Sequence, residues 1–157
     1  MKKIDIVVPS YNEEESLPLF YEALCRIFEQ CPDYLFSFIF VDDGSSDSTL
    51  NVAMELADKD ERVKFISFSR NFGKEAAIYA GLKNSTGDMV VLMDADLQHP
   101  PELIPEMIQY VDAQGYGACG AKRKVSGFSR LFSSLNNKLS KTHLQSGGTD
   151  YMLMSRR

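Results

Sequence analysis

Short apolar stretches alternate with amphipathic stretches along the whole chain. The apolar stretches are rich in β-branched and aromatic residues, which favours strands, and they cover residues 4–9, 36–41, 63–68, 89–93, 116–121 and 151–155. Between them, helical spacing of apolar side chains predicts helices over residues 16–30, 47–59, 73–84, 101–113 and 126–141. Ser16 is expected to be the N-cap of the first helix, and Asp47 is expected to cap the second.

This alternation of strands and helices predicts an α/β fold. Continuously apolar strands favour a Rossmann-like, mostly parallel sheet that is covered by helices on both faces. With 157 residues, of which 44% are apolar, the chain is long enough for one core and too short for two. We therefore expect a single domain over residues 1–157, with ligands at the carboxyl edge of the sheet.

Charge divides the chain into two parts. Residues 1–121 carry 9 basic and 21 acidic side chains, whereas residues 122–157 carry 8 basic side chains and one acid, Asp150. The basic segment favours an anionic partner, either a phosphate or a membrane surface, although a solvated basic helix remains the alternative. No apolar run approaches the roughly 20 residues of a membrane-spanning helix. The three cysteines lack metal-type spacing and are typical of a reduced, cytosolic protein.

Asp94, Ala95 and Asp96 follow the most apolar strand. Carboxylates two positions apart on such a loop can both face one cation and a bound phosphate, and Gln98 adds a third oxygen. Hard oxygens of this kind suit Mg²⁺ or Mn²⁺. The alternative is a pair of loop aspartates that cap the helix near Pro101.

Two other strands also end in polar residues. Asp42 and Asp43 end the second strand, and adjacent carboxylates repel unless hydrogen-bond donors or a cation are bound; an Asx-turn with Gly44 at positive φ would use only one of them. After the first strand, Tyr11 can pack against a base and Glu13 can accept a hydrogen bond from a sugar hydroxyl, or Glu13 can simply favour a helix N-terminus.

Arg70 and Lys74 precede or open the third helix, where both can reach a diphosphate, and surface charge is the alternative. The sequence contains neither G-x-G-x-x-G nor the P-loop motif, which disfavours dinucleotide oxidoreductases and P-loop NTPases. His99 lies beside the acidic loop without a partner at ligand spacing, so we expect it to pack or to donate a hydrogen bond there. No hydrolase triad is supported.

Taken together, four segments resemble family 2 glycosyltransferases, in the subgroup of dolichyl-phosphate mannose synthase and the bacterial polyprenyl-phosphate glucosyltransferases. The segments are VVPSYNEEESLP, VDDGSSDST, SRNFGKEAAI and GDMVVLMDADLQHPPE. The resemblance implies a GT-A type fold and inverting transfer of a hexose from a nucleotide-diphospho-sugar. It implies donor contacts at Pro9, Tyr11, Glu13, Asp42, Asp43, Lys74, Asp94, Ala95 and Asp96, and a Mg²⁺ or Mn²⁺ site at Asp94, Asp96 and Gln98.

The resemblance also implies an acceptor, a lipid phosphate at the cytoplasmic membrane face. Residues 1–121 are then the donor-binding core, and 122–157 an acceptor-side segment in which Arg123, Arg130 and Lys138 meet the acceptor phosphate or anionic headgroups. We expect Asp150, the one acid in that segment, to be the catalytic base; capping of the Gly147-Gly148 turn is the alternative. Met152 stands where the family has an arginine, which leaves the exact acceptor open. We also expect the sequence to be part of a longer protein.

The sugar and the base are not fixed by the sequence. UDP-glucose is the preferred donor, ahead of GDP-mannose and UDP-N-acetylhexosamine. A family 2 enzyme acting on a cell-surface polysaccharide and a sugar-nucleotide-binding regulator are the alternatives. A phosphoacceptor signalling domain is disfavoured, because its acidic pair would follow the first strand. We expect no nucleic-acid partner, and a homo-oligomer remains open.

Overall fold

The computed structural model describes residues 1–121 and 151–156. These residues form one six-stranded sheet with the strand order β3-β2-β1-β4-β6-β5. The strands are β1 (Lys2–Ser10), β2 (Tyr34–Asp42), β3 (Val63–Ser67), β4 (Met89–Leu92), β5 (Ala118–Gly120) and β6 (Met152–Ser155). The helices are α1 (Ser16–Phe28), α2 (Thr49–Lys59), α3 (Lys74–Asn84) and α4 (Ile104–Ile108).

The first four strands form a parallel sheet, as the sequence predicts. β1 lies between β2 and β4 and pairs with both in parallel, and β3 extends the sheet beyond β2. β6 differs, because it runs antiparallel to both β4 and β5. The last strand of the described chain is thus inserted between two earlier ones, an arrangement that the sequence pattern does not predict. The carboxyl ends of β1, β2 and β4 still meet at one edge, as parallel strands must.

Both faces of the sheet are buried. On one face, alternate residues of β1 (Ile4, Ile6 and Val8) pack with the aromatic side chains of β2 and with α1, α2 and α4. On the other face, Val7 packs with residues of β2 and β4 beneath α3. This two-sided burial explains why the strands are apolar at consecutive positions rather than at every second one.

The start of α1 differs from the prediction. Glu15, not Ser16, occupies the N-cap position, and no side chain caps this end. The backbone N–H of Leu17 already donates to the carbonyl of Glu13, so the helical turn begins before Ser16. The Ser16 hydroxyl instead donates to the Glu13 carboxylate. At α2 the Asp47 carboxylate does accept the N–H of Thr49, the first helical residue, while Ser48 stands at the N-cap position.

The segment after β4 is helical from residue 101 to 113, as predicted, but the type of helix changes along its length. A 3₁₀ turn over Pro101–Leu103 leads into α4, and a π-helical turn over Gln109–Ala113 follows it. The helix predicted over 126–141 lies outside the described residues. Within 1–121 and 151–156, no helix is long and apolar enough to cross a membrane.

A buried carboxylate fixes the turn that leads into β4. Asp5 in β1 is 1% exposed, and it accepts hydrogen bonds from Ser37 and from the backbone of Thr86 and Gly87. Burial by itself raises the pKa of Asp5, but these hydrogen bonds and the nearby charge of Lys3 outweigh burial and hold that pKa below its ordinary value. The entry to β4 is therefore held by a group at the edge of the sheet opposite its carboxyl ends.

Candidate active site

A cavity of about 290 Å³ opens at the carboxyl edge of the sheet. It lies where β1, β2 and β4 end and where α3 begins. Seven of the residues expected at a donor site line it: Pro9, Tyr11, Glu13, Asp43, Lys74, Asp94 and Asp96. The other lining residues are Ser10, Asn71, Gly73 and Ala77, and their sequence context predicts no role for them. Topology therefore brings four separate sequence segments into one concave site.

Hydrogen bonds join the loop after β1 to the loop after β2. Asn12, with φ of 55°, donates its N–H to the Ser45 hydroxyl at 3.0 Å and accepts the N–H of Ser46 at 2.9 Å. The Glu13 N–H donates to the Thr49 hydroxyl at 2.7 Å. This network fixes the backbone beside Tyr11, a residue that is 46% exposed and lines the cavity.

The two adjacent carboxylates at the end of β2 are both satisfied by the protein itself. Asp42 accepts the N–H of Ser45 at 3.1 Å and the hydroxyl of Ser67 at 3.2 Å, and it does not line the cavity. Asp43 accepts the N–H of Phe72 at 2.7 Å and the N–H of Gly73 at 3.0 Å. The sequence argument that a turn leaves one carboxylate unexplained is therefore wrong, because the missing donors come from the loop before α3.

The loop before α3 is packed tightly against the turn after β2. Gly44 has φ of +67°, and a Cβ at this position would lie 2.2 Å from the carbonyl carbon of Arg70. The Arg70 guanidinium lies 4.6 Å from the centre of the Phe72 ring and is not among the groups that line the cavity. Lys74 lines the cavity and Arg70 does not, and a contact between Arg70 and a diphosphate stays a prediction. The Asp43 carboxylate supplies a negative charge at the start of α3.

Lys74 and the acidic loop meet across the cavity. The Lys74 ammonium lies 2.8 Å from an oxygen of the Asp94 carboxylate, and both side chains are partly exposed. Asp96 accepts the backbone N–H of Gln98 at 3.0 Å. Ala95 is 1% exposed and packs into the core, which orients the carboxylates on either side of it toward the cavity.

The carboxylates at the cavity suit a metal ion that is shared with a bound phosphate group. They do not suit a metal ion that is held by protein side chains alone. Among the described residues, no group of three or more His, Cys, Asp or Glu side chains is placed to hold an ion. Asp94 and Asp96 line one cavity, whereas the exposed side chain of Gln98 does not. Mg²⁺ characteristically binds one or two carboxylates together with substrate phosphates and water. Two carboxylates at an open cavity match that pattern.

The sequence model of glycosyl transferase family 2 matches residues 5–153. This chain belongs to that family. It is 40% identical over 98% of its length to the Escherichia coli prophage bactoprenol glucosyl transferase homolog, of which it covers 52%. It is 39% identical to an undecaprenyl-phosphate 4-deoxy-4-formamido-L-arabinose transferase of Pectobacterium carotovorum, over 99% of this chain and 48% of that protein.

Solved glycosyltransferase structures share the fold. A mannosyltransferase from Pyrobaculum calidifontis, solved in complex with GDP-Man and Mn²⁺, superposes with a TM-score of 0.66 at 25% identity, over 99% of this chain and 45% of that one. The chain spans about half the length of the curated relatives that it matches. The predicted family and the GT-A type fold are confirmed.

The expected acceptor-side residues of this family 2 chain lie outside the described residues: Asp150, Arg123, Arg130 and Lys138. Tyr151, next to Asp150 in sequence, is fully buried; its hydroxyl donates to the Pro100 carbonyl at 3.2 Å and its ring lies 5.4 Å from that of His99. Burial raises the pKa of the Tyr151 phenol, and the charge of Glu102 adds to the effect. Tyr151 thus anchors the start of β6 beside the acidic loop, and His99 packs there as expected.

Proposed function

We propose that this chain is the donor-binding and catalytic part of a glycosyltransferase that moves a hexose from a nucleotide-diphospho-sugar to a polyprenyl phosphate. The observation that carries the proposal is the cavity at which Tyr11, Asp43, Lys74, Asp94 and Asp96 converge. The acceptor class is supported by relatives named for bactoprenol and undecaprenyl phosphate. UDP-glucose is the proposed donor, in line with the glucosyl relatives.

The nucleoside end of the donor belongs near the loop after β1. The half-exposed ring of Tyr11 offers a face for a base, and its backbone is fixed by the Asn12 network. Glu13 and Asp43 both line the cavity, and carboxylates accept hydrogen bonds, so they suit ribose hydroxyls and base N–H groups. Asp42 does not line this cavity, and we assign it a structural role in the turn instead.

The diphosphate belongs between α3 and the acidic loop. The Lys74 ammonium supplies a positive charge there, and Asp94 and Asp96 would hold Mg²⁺ or Mn²⁺ against the phosphate oxygens. When bound, such a metal offsets the charge that develops on the departing nucleoside diphosphate. Without a P-loop, the backbone of this chain offers no phosphate-binding glycine loop of that kind.

The proposed reaction is a single displacement with inversion at the sugar. An oxygen of the acceptor phosphate forms the new bond to the anomeric carbon while the bond to the β-phosphate oxygen breaks, and the nucleoside diphosphate leaves with that electron pair. A phosphate monoester is already largely ionised at neutral pH. Asp150 is therefore proposed to orient the attacking oxygen and to take up its proton when one remains.

We further propose that the basic segment meets the acceptor at the cytoplasmic face of a membrane. Arg123, Arg130 and Lys138 are the proposed partners of the acceptor phosphate and of anionic headgroups. Each basic side chain near an anionic surface contributes about 1 kcal/mol, so attachment through this segment alone is reversible. Co-sedimentation of the chain with vesicles containing anionic lipid should weaken steeply as salt is raised.

Two measurements test the proposal. Calorimetry should show binding of UDP-glucose in Mn²⁺ and a large loss of affinity in EDTA. Transfer of radiolabelled glucose from UDP-glucose to polyprenyl phosphate in detergent micelles should yield a lipid-extractable product. Label that appears only in a polysaccharide acceptor overturns the assigned acceptor, and the absence of nucleotide-sugar binding overturns the function.

A further inference from the structure

The contact between Lys74 and Asp94 joins two groups that the proposed function assigns to different parts of the donor complex. Lys74 belongs to the diphosphate and Asp94 to the metal, yet in the donor-free chain they lie 2.8 Å apart as an ion pair. An ammonium group on this carboxylate weakens the binding of a dication there, because two cations at such a distance repel each other.

Lys74 also stands at an unfavourable place for a lysine. It is the first residue of α3, where the helix dipole favours negative charge. The Asp43 carboxylate, bound to the N–H groups of Phe72 and Gly73, offsets part of that cost and fixes the backbone from which Lys74 projects. A residue that conflicts with its local structure in this way marks a functional position more often than a structural one.

We infer that Lys74 is a positioning residue that occupies the cation position on Asp94 until the donor arrives and then moves to the diphosphate. Both side chains are partly exposed, and ion pairs of this kind are weak enough to exchange. The exchange makes metal and nucleotide bind together rather than metal alone, since the donor removes the competing ammonium group. The inference rests on the proposed function, which assigns Lys74 to the diphosphate and Asp94 to the metal.

The inference predicts opposite changes in two affinities when Lys74 is replaced by methionine. Lys74→Met removes the competitor from Asp94, so Mn²⁺ alone should bind about 2- to 5-fold more tightly. The same substitution removes a charged partner of the diphosphate, so UDP in EDTA should bind about 10- to 100-fold more weakly. A purely structural ion pair that the donor never contacts would leave UDP affinity unchanged when it is broken, so the two changes are required together.

The experiment measures free Mn²⁺ by electron paramagnetic resonance and UDP by calorimetry, on the same preparations. Lys83→Met, an exposed position near the end of the same helix, is the matched control and should change neither affinity. Lys74→Arg keeps the charge and should leave Mn²⁺ affinity at the parent value. Thermal melting by circular dichroism verifies that each variant is folded.

Unchanged or weaker Mn²⁺ binding in folded Lys74→Met overturns the inference, and so does unchanged UDP affinity in EDTA. Failure of the proposed function is distinguished by the parent chain, which would then bind no UDP either in Mn²⁺ or in EDTA. A parent chain that binds UDP, with Lys74→Met tightening Mn²⁺ and weakening UDP, supports the inference.

Discussion

Gly44 and Arg70 are in backbone contact, so that a Cβ at residue 44 would lie 2.2 Å from the Arg70 carbonyl carbon. This contact joins the turn after β2 to the loop before α3, and the same two segments are joined by the hydrogen bonds from Phe72 and Gly73 to Asp43. The position of the cavity wall therefore depends on the absence of a side chain at one residue.

Gly44→Ala should strongly destabilise the chain. The substitution forces alanine to adopt φ of +67° and to displace the backbone of residue 70, costs that together amount to about 2–5 kcal/mol of unfolding free energy. Urea denaturation measures the change, and Gly117→Ala is the control because nothing lies within 4 Å of a Cβ there. Equal stability of the two variants would contradict the close contact.

Asp43→Ala should weaken both folding stability and nucleotide affinity. It removes the acceptor of two backbone N–H groups, at about 1–3 kcal/mol, and it releases the loop that carries Asn71 and Lys74 into the cavity. Asp43→Asn keeps one acceptor oxygen and should have an intermediate effect. Asp58→Ala, on an exposed position of α2, is the control. UDP calorimetry that is unchanged in Asp43→Ala would rule out this role.

Asp96→Ala should abolish the metal-dependent part of UDP binding while the domain stays folded. Asp96 lines the cavity and its carboxylate is one of two available to a shared metal. The measurement compares UDP affinity in Mn²⁺ and in EDTA for parent and variant. A variant that still gains affinity from Mn²⁺ as the parent does would show that the metal binds elsewhere.

Asp5 should make stability depend on pH in the acid range. Its pKa in the folded chain lies below the ordinary value of 3.8, so its ionised form stabilises the fold above that pH, and the contribution is lost as pH falls through the folded-state pKa. Asp5→Asn should lower the unfolding free energy at neutral pH by about 1–3 kcal/mol. The difference from the parent should shrink toward pH 3, as urea denaturation at each pH would show. Exposed Asp33→Asn should show no such trend.

Asp150→Asn should lower turnover with polyprenyl phosphate by about 10²–10⁴-fold, the usual cost of losing a general base. Donor affinity should remain near the parent value, because the proposed role lies on the acceptor side. Transfer of labelled glucose measures turnover, and calorimetry measures the affinity. A loss of turnover below about threefold, or a parallel loss of donor binding, would favour the turn-capping role instead.

The four parallel strands and their polar ends were predictable, because apolar runs such as 36–41 and 89–93 are a property of the local sequence. The antiparallel direction of β6 was not, since an apolar strand pattern does not specify in which direction the strand runs. The hydrogen-bond donors to the Asp43 carboxylate could not be predicted for a related reason. They are backbone N–H groups about 30 residues away, and only the topology of the sheet brings them to that carboxylate.

At the site, too, features that depend on local sequence were predictable and features that depend on the topology of the sheet were not. Side chains adjacent in sequence, such as Asp94 and Asp96, were identified from their spacing, and their assignment to a metal remains a prediction. Asn71 and Ala77 were given no role, although Ala77 stands three residues after Lys74 and so lies on the same side of α3. The Lys74–Asp94 pair joins residues 20 positions apart and has no local signal.

The insertion of β6 between β4 and β5 bears on the order in which the chain assembles during synthesis. The four parallel strands are complete once residue 92 has left the ribosome, and their cavity-lining residues all precede residue 97. Among the described strands, β5 has β6 as its sole partner, so it must wait for Met152–Ser155 before it joins the sheet. The cavity is thus built from early residues, and the strand that follows Asp150 is added to a sheet whose cavity edge already exists.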